Sequence, residues 1–225
     1  MPTKNVVPGE GNLDIEAYVA QSYNMKQISY TKAALRTLRR MPANTAALIR
    51  SKIEDYAQDP ASQANNVKSL KGREGIRLRV GDWRVIVDDQ GNVLAVLEIG
   101  RAAASMLKGR DMNDMVTIPR EEYDRLRAAA EDLADLQSYD HAKAALAAGD
   151  DELIPADFAN RLLNGESPLR VYRDLHGLTQ AVLAETAGVN RVTVAEIETG
   201  RKQGSIATLR ALAGALGVTL DDLTE

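Results

Sequence analysis

Residues 75–84 read Gly-Ile-Arg-Leu-Arg-Val-Gly-Asp-Trp-Arg, and this stretch decides the fold of the first half of the chain. Apolar and basic residues alternate as in a β-strand up to Gly81-Asp82, a pair typical of a two-residue hairpin turn. Such a turn places Arg79 directly opposite Arg84, and the alternation puts Arg77 on the same face of the sheet. We therefore expect a hairpin with three arginines on one face and apolar side chains on the other.

The three arginines predict an anion site. Like charges opposed across a sheet are destabilising, so their presence together indicates a bound anion, for which phosphate is the natural candidate. The alternative is a solvated face on which Asp82 or Glu98 provides ion pairs. Further basic residues upstream widen the patch: Lys68, Lys71 and Arg73.

The segments around the hairpin predict an α+β module over residues 25–110. A short strand at residues 28–30 precedes two amphipathic helical stretches, which end before Pro60. A further β-rich run, residues 93–99, follows the hairpin after a second turn. This order predicts a small antiparallel sheet with two N-terminal helices.

Charge is distributed unevenly, although the formal net charge is only −4. Residues 25–110 contain 16 Lys or Arg against 8 Asp or Glu, whereas residues 111–165 contain 5 against 13. The two blocks predict surfaces that neutralise each other; the alternative is solvated faces and a spacer helix. We expect a long acidic helix in residues 111–165, with these carboxylates over the arginines: Glu121, Glu122, Asp124, Glu131, Asp132 and Asp135.

Residues 166–225 predict an all-α domain with a helix-turn-helix. Thr179 and Asn190 are suited to cap two successive helices, because their side-chain oxygens can accept from free first-turn amides. Gly188 supplies the positive φ that a tight turn between helices requires. Small and apolar residues fill the angle between the helices: Leu183, Ala184, Val189, Val194 and Ile197.

On these residues, the stretch from Leu178 to Gly200 resembles the helix-turn-helix of the Xre/Cro family, which includes the HigA antitoxins. The resemblance implies that the helix after Asn190 enters the major groove of operator DNA. It implies that Arg191, Val192 and Glu196 face the bases. It assigns phosphate contacts to Gln180, Asn190, Thr193, Arg201 and Lys202.

The sequence from Lys71 to Arg84 resembles the RelE/HigB toxin family, whose members are mostly ribosome-dependent mRNA endoribonucleases. The ParE branch of the same fold targets DNA gyrase instead. The resemblance implies metal-independent attack of the ribose 2′-hydroxyl on the adjacent phosphate, with cations stabilising the developing charge. It assigns catalysis to Arg77, Arg79 and Arg84, and RNA binding to Lys68, Lys71 and Arg73.

The sequence departs from that family pattern after the last strand. Residues 100–106 read Gly-Arg-Ala-Ala-Ala-Ser-Met, with alanine at the usual position of a catalytic arginine and methionine near the place of a tyrosine. Arg101 stands one position early and would replace that arginine only in part. We therefore expect a weakened or inactive toxin.

The order of the two resemblances is the HigBA order, toxin first and antitoxin second. Met112 and Met115 look like a former start region, so the chain reads as two adjacent genes merged. Four segments are predicted: a flexible leader at 1–24, a toxin domain at 25–110, an acidic antitoxin or linker segment at 111–165, and a DNA-binding domain at 166–225.

Composition narrows the classes of function. The chain has no cysteine and only two histidines, which excludes disulfides and thiolate metal sites and disfavours zinc chemistry. No apolar run approaches membrane-spanning length, and the first residues lack a signal-peptide pattern. We expect a cytoplasmic protein without a membrane segment, a bound metal or a cofactor.

The predicted function is a self-neutralised toxin–antitoxin fusion that binds operator DNA as an autorepressing homodimer. Toxin–antitoxin contacts are expected within or between chains, and ribosome-bound mRNA is the expected target of the toxin module. One alternative is a latent endoribonuclease released by proteolysis. The other is a plain Xre-family transcription regulator whose N-terminal domain senses a ligand or partner.

Overall fold

The computed structural model describes residues 26–101 and 117–224. The expectations for the leader at 1–24, for Ala102 to Met106 and for Met112 and Met115 lie outside the described residues.

A sheet and two helices form the first half of the fold, and the sheet is mixed rather than purely antiparallel as predicted, because β1 lies parallel to β5. Its elements are β1 Gln27–Thr31, α1 Lys32–Arg40, α2 Ala43–Gln58, a 3-10 turn Pro60–Gln63, β2 Val67–Ser69, β3 Gly75–Val80, β4 Trp83–Gln90 and β5 Val93–Arg101. β1 runs parallel to β5, whereas β2 to β5 form an antiparallel meander. The predicted α+β class is confirmed.

Residues 117–224 are helical except for one short strand. Its elements are α3 Arg120–Ala148, β6 Leu153–Pro155, α4 Ala156–Leu163, α5 Pro168–Leu175, α6 Gln180–Ala187, α7 Arg191–Glu198, α8 Ile206–Leu216 and α9 Leu220–Thr224. β6 pairs antiparallel with β1, so the sheet order is β2-β3-β4-β5-β1-β6. The acidic segment therefore contributes the sixth strand of the sheet.

Each face of the sheet has its own apolar layer. One face packs on α1 and α2, and this core continues into the C-terminal helices through fully buried Ile154 and Tyr172. The other face packs on α3 through a smaller cluster: Leu70, Ile86, Ala95, Leu97 and Tyr139. The sheet is thus enclosed between the N-terminal helices and the acidic helix α3. Among the described residues, no helix is long and apolar enough to cross a membrane.

Candidate functional site

The hairpin β3–β4 forms with the register that the Gly81-Asp82 turn predicts. Arg79 pairs with Arg84 across the strands, and Gly81 has a φ of +58°. Because side chains alternate along a strand, Arg77 lies on the same face. We call this surface, formed by Arg77, Arg79 and Arg84, the arginine face.

Carboxylates of α3 lie directly over the arginine face. Asp135 accepts a hydrogen bond from Arg77 Nη1 at 3.0 Å, and Glu131 accepts one from Arg79 Nη2 at 2.9 Å. Arg84 Nε lies 3.8 Å from Asp135 Oδ1. All three arginines of the face thus have an α3 carboxylate within ion-pair distance, in place of the anion that the sequence predicts.

Asp135 is the most deeply buried of these carboxylates, with 2% of its side chain exposed. Burial raises its pKa, although Arg77 and Arg84 act in the opposite direction. Asp135 Oδ1 and Arg84 Nε are both buried without a hydrogen-bond partner among the described residues. The centre of the contact is therefore ion-paired but incompletely hydrogen-bonded, which makes it costly to disrupt on one side only.

The flanking basic residues also engage α3. Lys68 pairs with Asp132, and this hydrogen bond lowers the pKa of the aspartate. Arg73 forms two hydrogen bonds with Asp140, at 2.6 and 2.8 Å, which lower the pKa of that carboxyl. Lys71 is exposed beside them. Two of the three predicted RNA-binding residues are thus already paired with carboxylates.

A second polar contact lies further along α3. The buried carboxylate of Asp88 on β4 accepts hydrogen bonds from Tyr139 Oη at 3.1 Å and Lys143 Nζ at 2.8 Å. Desolvation, followed by the charge of Asp88, raises the pKa of Tyr139 to about 12. The tyrosine is therefore a neutral donor at physiological pH, and it anchors the helix to the sheet.

Arg101 does not join the arginine face. It pairs with Trp83 across β4 and β5, and its guanidinium carbon lies 5.4 Å from the centroid of the Trp83 ring. Trp83 precedes Arg84 on β4, so its side chain points to the opposite face. The structure thus brings together three of the four predicted catalytic residues and separates the fourth.

The expected contacts of the acidic helix are correct for half of the six carboxylates. Glu131 and Asp132 pair with the basic residues, as Asp135 does. The expectation is wrong for Glu121, Glu122 and Asp124: Asp124 pairs with Arg120 and Glu122 with Arg125, both within α3. These three residues belong to the first turns of the helix, before it reaches the sheet.

The helix-turn-helix has the capping geometry that the sequence predicts. Thr179 Oγ1 accepts from the amide of Val182 at 3.2 Å, and Asn190 Oδ1 accepts from the amide of Val192 at 2.8 Å. Gly188 ends α6 with a φ of +64°. These contacts determine where α6 begins and ends and where α7 begins.

The predicted DNA-contacting residues lie on or next to α7. Arg191 and Val192 are exposed, the latter at 61%. Gln180 donates to Glu198 at 2.8 Å, so its amide is committed to holding α6 against α7. The other predicted residues are at least partly exposed: Asn190, Thr193, Glu196, Arg201 and Lys202. The α7 surface is thus accessible, whereas Arg77 and Arg84 of the arginine face are only 13% and 16% exposed and Arg79 remains 42% exposed.

The acidic segment and the C-terminal domain are also clamped to α1. Asp151 accepts from the amides of Lys32 at 2.8 Å and Ala33 at 3.3 Å, where a carboxylate is favoured by the helix dipole. Asp222, which is fully buried, lies 3.1 Å from Arg36 Nε. The two halves therefore form a continuous structure.

Sequence reasoning missed several residues of these contacts. The positions that face the sheet recur every three or four residues along α3, which is the signal that could have identified them. The missed residues are Tyr139, Asp140 and Lys143 on α3, Asp88 on the sheet, and Asp151 and Asp222, which contact α1.

Comparison with known proteins gives two family matches. Residues 28–106 match the family described as ParE toxin of type II toxin-antitoxin system, parDE, and residues 169–223 match the family described as Helix-turn-helix. The chain is also similar to an uncharacterized HTH-type transcriptional regulator of Methanocaldococcus jannaschii. The two are 38% identical over 58 residues, which make up 26% of this chain and 88% of the relative.

Proposed function

The chain belongs to the helix-turn-helix family of transcriptional regulators through its C-terminal domain and carries a ParE-type toxin domain before it, and on this premise we propose that it is a self-neutralised toxin–antitoxin fusion. In this proposal residues 25–110 are the toxin, residues 111–165 are the neutralising segment, and residues 166–225 bind operator DNA. The leader at 1–24 has no role in the proposal.

The observation that carries the proposal is the cover that α3 places on the arginine face. A RelE/HigB-type endoribonuclease needs its cations free for the phosphates of its target. Under α3 the Arg77 and Arg84 side chains are only 13% and 16% exposed, and the more exposed Arg79 is paired with Glu131. Ion pairs, the apolar cluster around Tyr139 and the added strand β6 support the cover together. Neutralisation in this scheme is masking of the cations by the chain's own carboxylates.

The exposed α7 surface supports operator binding and autorepression by the neutralised protein. The test is a gel shift with a DNA fragment from the chain's own promoter, against unrelated DNA of equal length, across a range of salt concentrations. We expect at least about a thousandfold preference for the promoter fragment. Equal affinity for both fragments at every salt concentration would refute sequence-specific repression.

The target of the toxin module is the second part of the proposal. We propose ribosome-bound mRNA as the target of a weakened enzyme, since Arg101 lies on the other face of the sheet and leaves three arginines on the masked one. DNA gyrase is the second candidate, because the toxin domain matches the ParE family.

The test of the target unmasks the arginine face in the full chain. The double variant Glu131→Lys/Asp132→Lys repels α3 from the face, and the same variant with Arg84→Ala is its control. Both are compared with the unchanged chain in ribosome-dependent mRNA cleavage and in gyrase supercoiling. We expect weak, Arg84-dependent activity of the double variant in the mRNA cleavage assay only, and none from the unchanged chain. Activity in the supercoiling assay alone would favour gyrase. Strong activity of the unchanged chain would refute masking, and none from a folded double variant would favour the plain regulator.

A further inference from the structure

Helix α3 carries a second apolar stripe, apart from the one that contacts the sheet. Tyr123, Leu126 and Leu133 are 38%, 53% and 57% exposed. With Ala130 between the leucines, the spacing is three, four and three residues. This is the a and d pattern of a coiled coil.

The stripe lies on the side of α3 that faces away from the sheet. At about 100° per residue, Leu126 and Leu133 point in nearly the opposite direction from Asp135 and Tyr139, which contact the sheet. Every residue from Tyr123 to Ala130 is exposed. The first turns of α3 therefore extend past the sheet, and a short helical segment with an apolar stripe has little stability of its own in water.

Charged residues beside the stripe indicate what covers it. With Tyr123 and Leu126 at positions a and d, Glu122 is at position g and Arg127 at position e, five residues later. In a parallel pair of helices, position g of one faces the next position e of the other. Each Glu122, which lies 3.9 Å from Arg125 of its own helix, would meet an Arg127, which donates to Glu131 at 3.3 Å. An antiparallel pair would instead place like charges together. The charges therefore favour a parallel pair of identical helices.

We propose that a second copy of this chain covers the stripe, and that the two α3 helices form a short parallel coiled coil over residues 119–137. This coiled coil would be the interface of the operator-binding dimer. Its biological role therefore rests on the proposed function, whereas its geometry does not. A parallel pair has two-fold symmetry, which is the symmetry of a palindromic operator. The same helix would bind the arginine face with one side and its copy with the other.

A cysteine scan tests the geometry directly, since the chain has no cysteine of its own. In the full chain, Ala130→Cys places a thiol on the stripe, and Ala128→Cys places one in the same exposed turn on the other side of the helix. Under mild oxidation we expect a covalent dimer from Ala130→Cys and none from Ala128→Cys. Equal cross-linking of both variants, or none of either, would overturn the proposal.

Sedimentation equilibrium of the full chain, without DNA, tests the affinity. Leu126→Asp/Leu133→Asp should raise the dimer Kd at least about 100-fold, because it places charges in the apolar seam. Leu48→Asp and Ile206→Asp, at exposed apolar positions off the stripe, should leave it unchanged. A monomeric chain, or a dimer whose Kd does not change in the leucine double variant, overturns the proposal. A monomer is the result expected if residues 102–116 of the same chain cover the stripe.

Charge swaps test the parallel orientation. Glu122→Arg and Arg127→Glu should each weaken the dimer, and an equal mixture of the two variants should restore it. In an antiparallel pair, residue 122 would meet residue 122 of the other helix and residue 127 would meet residue 127. Like charges would therefore face each other in the unchanged chain and in each single variant, and neither swap would weaken the dimer. A dimer that does not bind the promoter fragment would count against the proposed function and leave this interface intact.

Discussion

The ring of Tyr139 lies so close to the backbone of Gly75 that a Cβ on the glycine would be 2.5 Å from Cε2 and 2.6 Å from Cδ2 of the ring. The same Cβ would lie 3.0 Å from the backbone oxygen of Val87. β3 therefore has no side chain at Gly75, and the Tyr139 ring of α3 packs directly against its backbone. The family-like motif at residues 71–84 thus contains a glycine with a role in the contact between the two proposed partners.

Gly75→Ala should loosen α3 from the sheet. The added methyl must displace Tyr139, since the backbone oxygen of Val87 has little room to move, and overpacking of this kind costs about 1–3 kcal/mol. Urea denaturation should show the loss. Gly100→Ala in β5 is the matched control, because its nearest neighbour would be 3.5 Å away. Equal losses of unfolding free energy in the two variants would contradict close packing of Tyr139 on Gly75.

Asp135→Ala should cost much more stability than Asp140→Ala. Removing Asp135 leaves Arg84 under α3 with no described carboxylate within ion-pair distance and leaves Arg77 only Glu131, 3.7 Å from its Nη1. Uncompensated buried charge costs about 3 kcal/mol or more. Asp140 and Arg73 are both well exposed, so the loss of that pair is screened by solvent. Thermal or urea unfolding compares the variants directly. A larger effect at position 140 would mean that the exposed pair holds the helix.

In the acid range, Asp132 and Asp135 should contribute to the free energy of unfolding with opposite dependence on pH. The pKa of Asp132 is lowered by Lys68, so its contribution to stability is present above its usual pKa and is lost as the pH falls through the folded value. The pKa of Asp135 is raised by burial, so its contribution is greatest at low pH and declines as the pH rises through the folded value. Urea denaturation of the chain and of Asp132→Asn and Asp135→Asn, between about pH 2 and pH 7, measures both.

The differences from the unchanged chain should have opposite slopes. The free energy of unfolding of the chain minus that of Asp132→Asn should rise with pH in the window below the usual aspartate pKa. The corresponding difference for Asp135→Asn should fall with pH above it. Parallel slopes for the two variants would show that Asp135 is more solvated than its burial indicates.

Local features of this fold could be predicted from the sequence. The turn at Gly81-Asp82 sets the β3–β4 register by itself, because a two-residue loop leaves no freedom in which residues pair. Thr179, Gly188 and Asn190 act on backbone groups within a few residues of their own positions. Such features depend on short-range geometry, which the order of residues largely determines.

Features that depend on tertiary placement could not be predicted in the same way. Which carboxylates of α3 reach the arginines depends on where the helix first meets the sheet. The periodicity of the α3 sequence does not specify that point. The three residues of β6 are too few to show alternation, so nothing distinguished Ile154 from a helix boundary. The sequence predicts the role of Arg101 only through its resemblance to a family motif, whereas its position opposite Trp83 follows from the β5 register.

Arg191→Ala should weaken operator binding and relax sequence preference. Its exposed position at the start of α7 suits a base contact, which is typically worth about 1–3 kcal/mol. Lys202→Ala should weaken binding to all sequences alike and reduce the salt dependence by about one ion. Lys52→Ala on α2 is the control for loss of a cation that lies outside both α7 and α3. Titration of the promoter fragment and a scrambled fragment, at several salt concentrations, separates the outcomes.

Cleavage of the chain between residues 101 and 117 should leave two fragments that stay together, contrary to a latent toxin released by a single cut. The second fragment retains β6 in the sheet beside β1, the apolar contact of Tyr139 and the clamp between Asp222 and Arg36. Salt near 1 M would screen the exposed ion pairs but would leave the strand pairing and buried apolar contacts. With a protease site inserted in that segment, the cut chain should elute as one species in gel filtration at low and high salt, and separate only in denaturant. Separation at low salt would restore release by proteolysis, whereas separation at high salt alone would mean that charge pairing holds the two parts together.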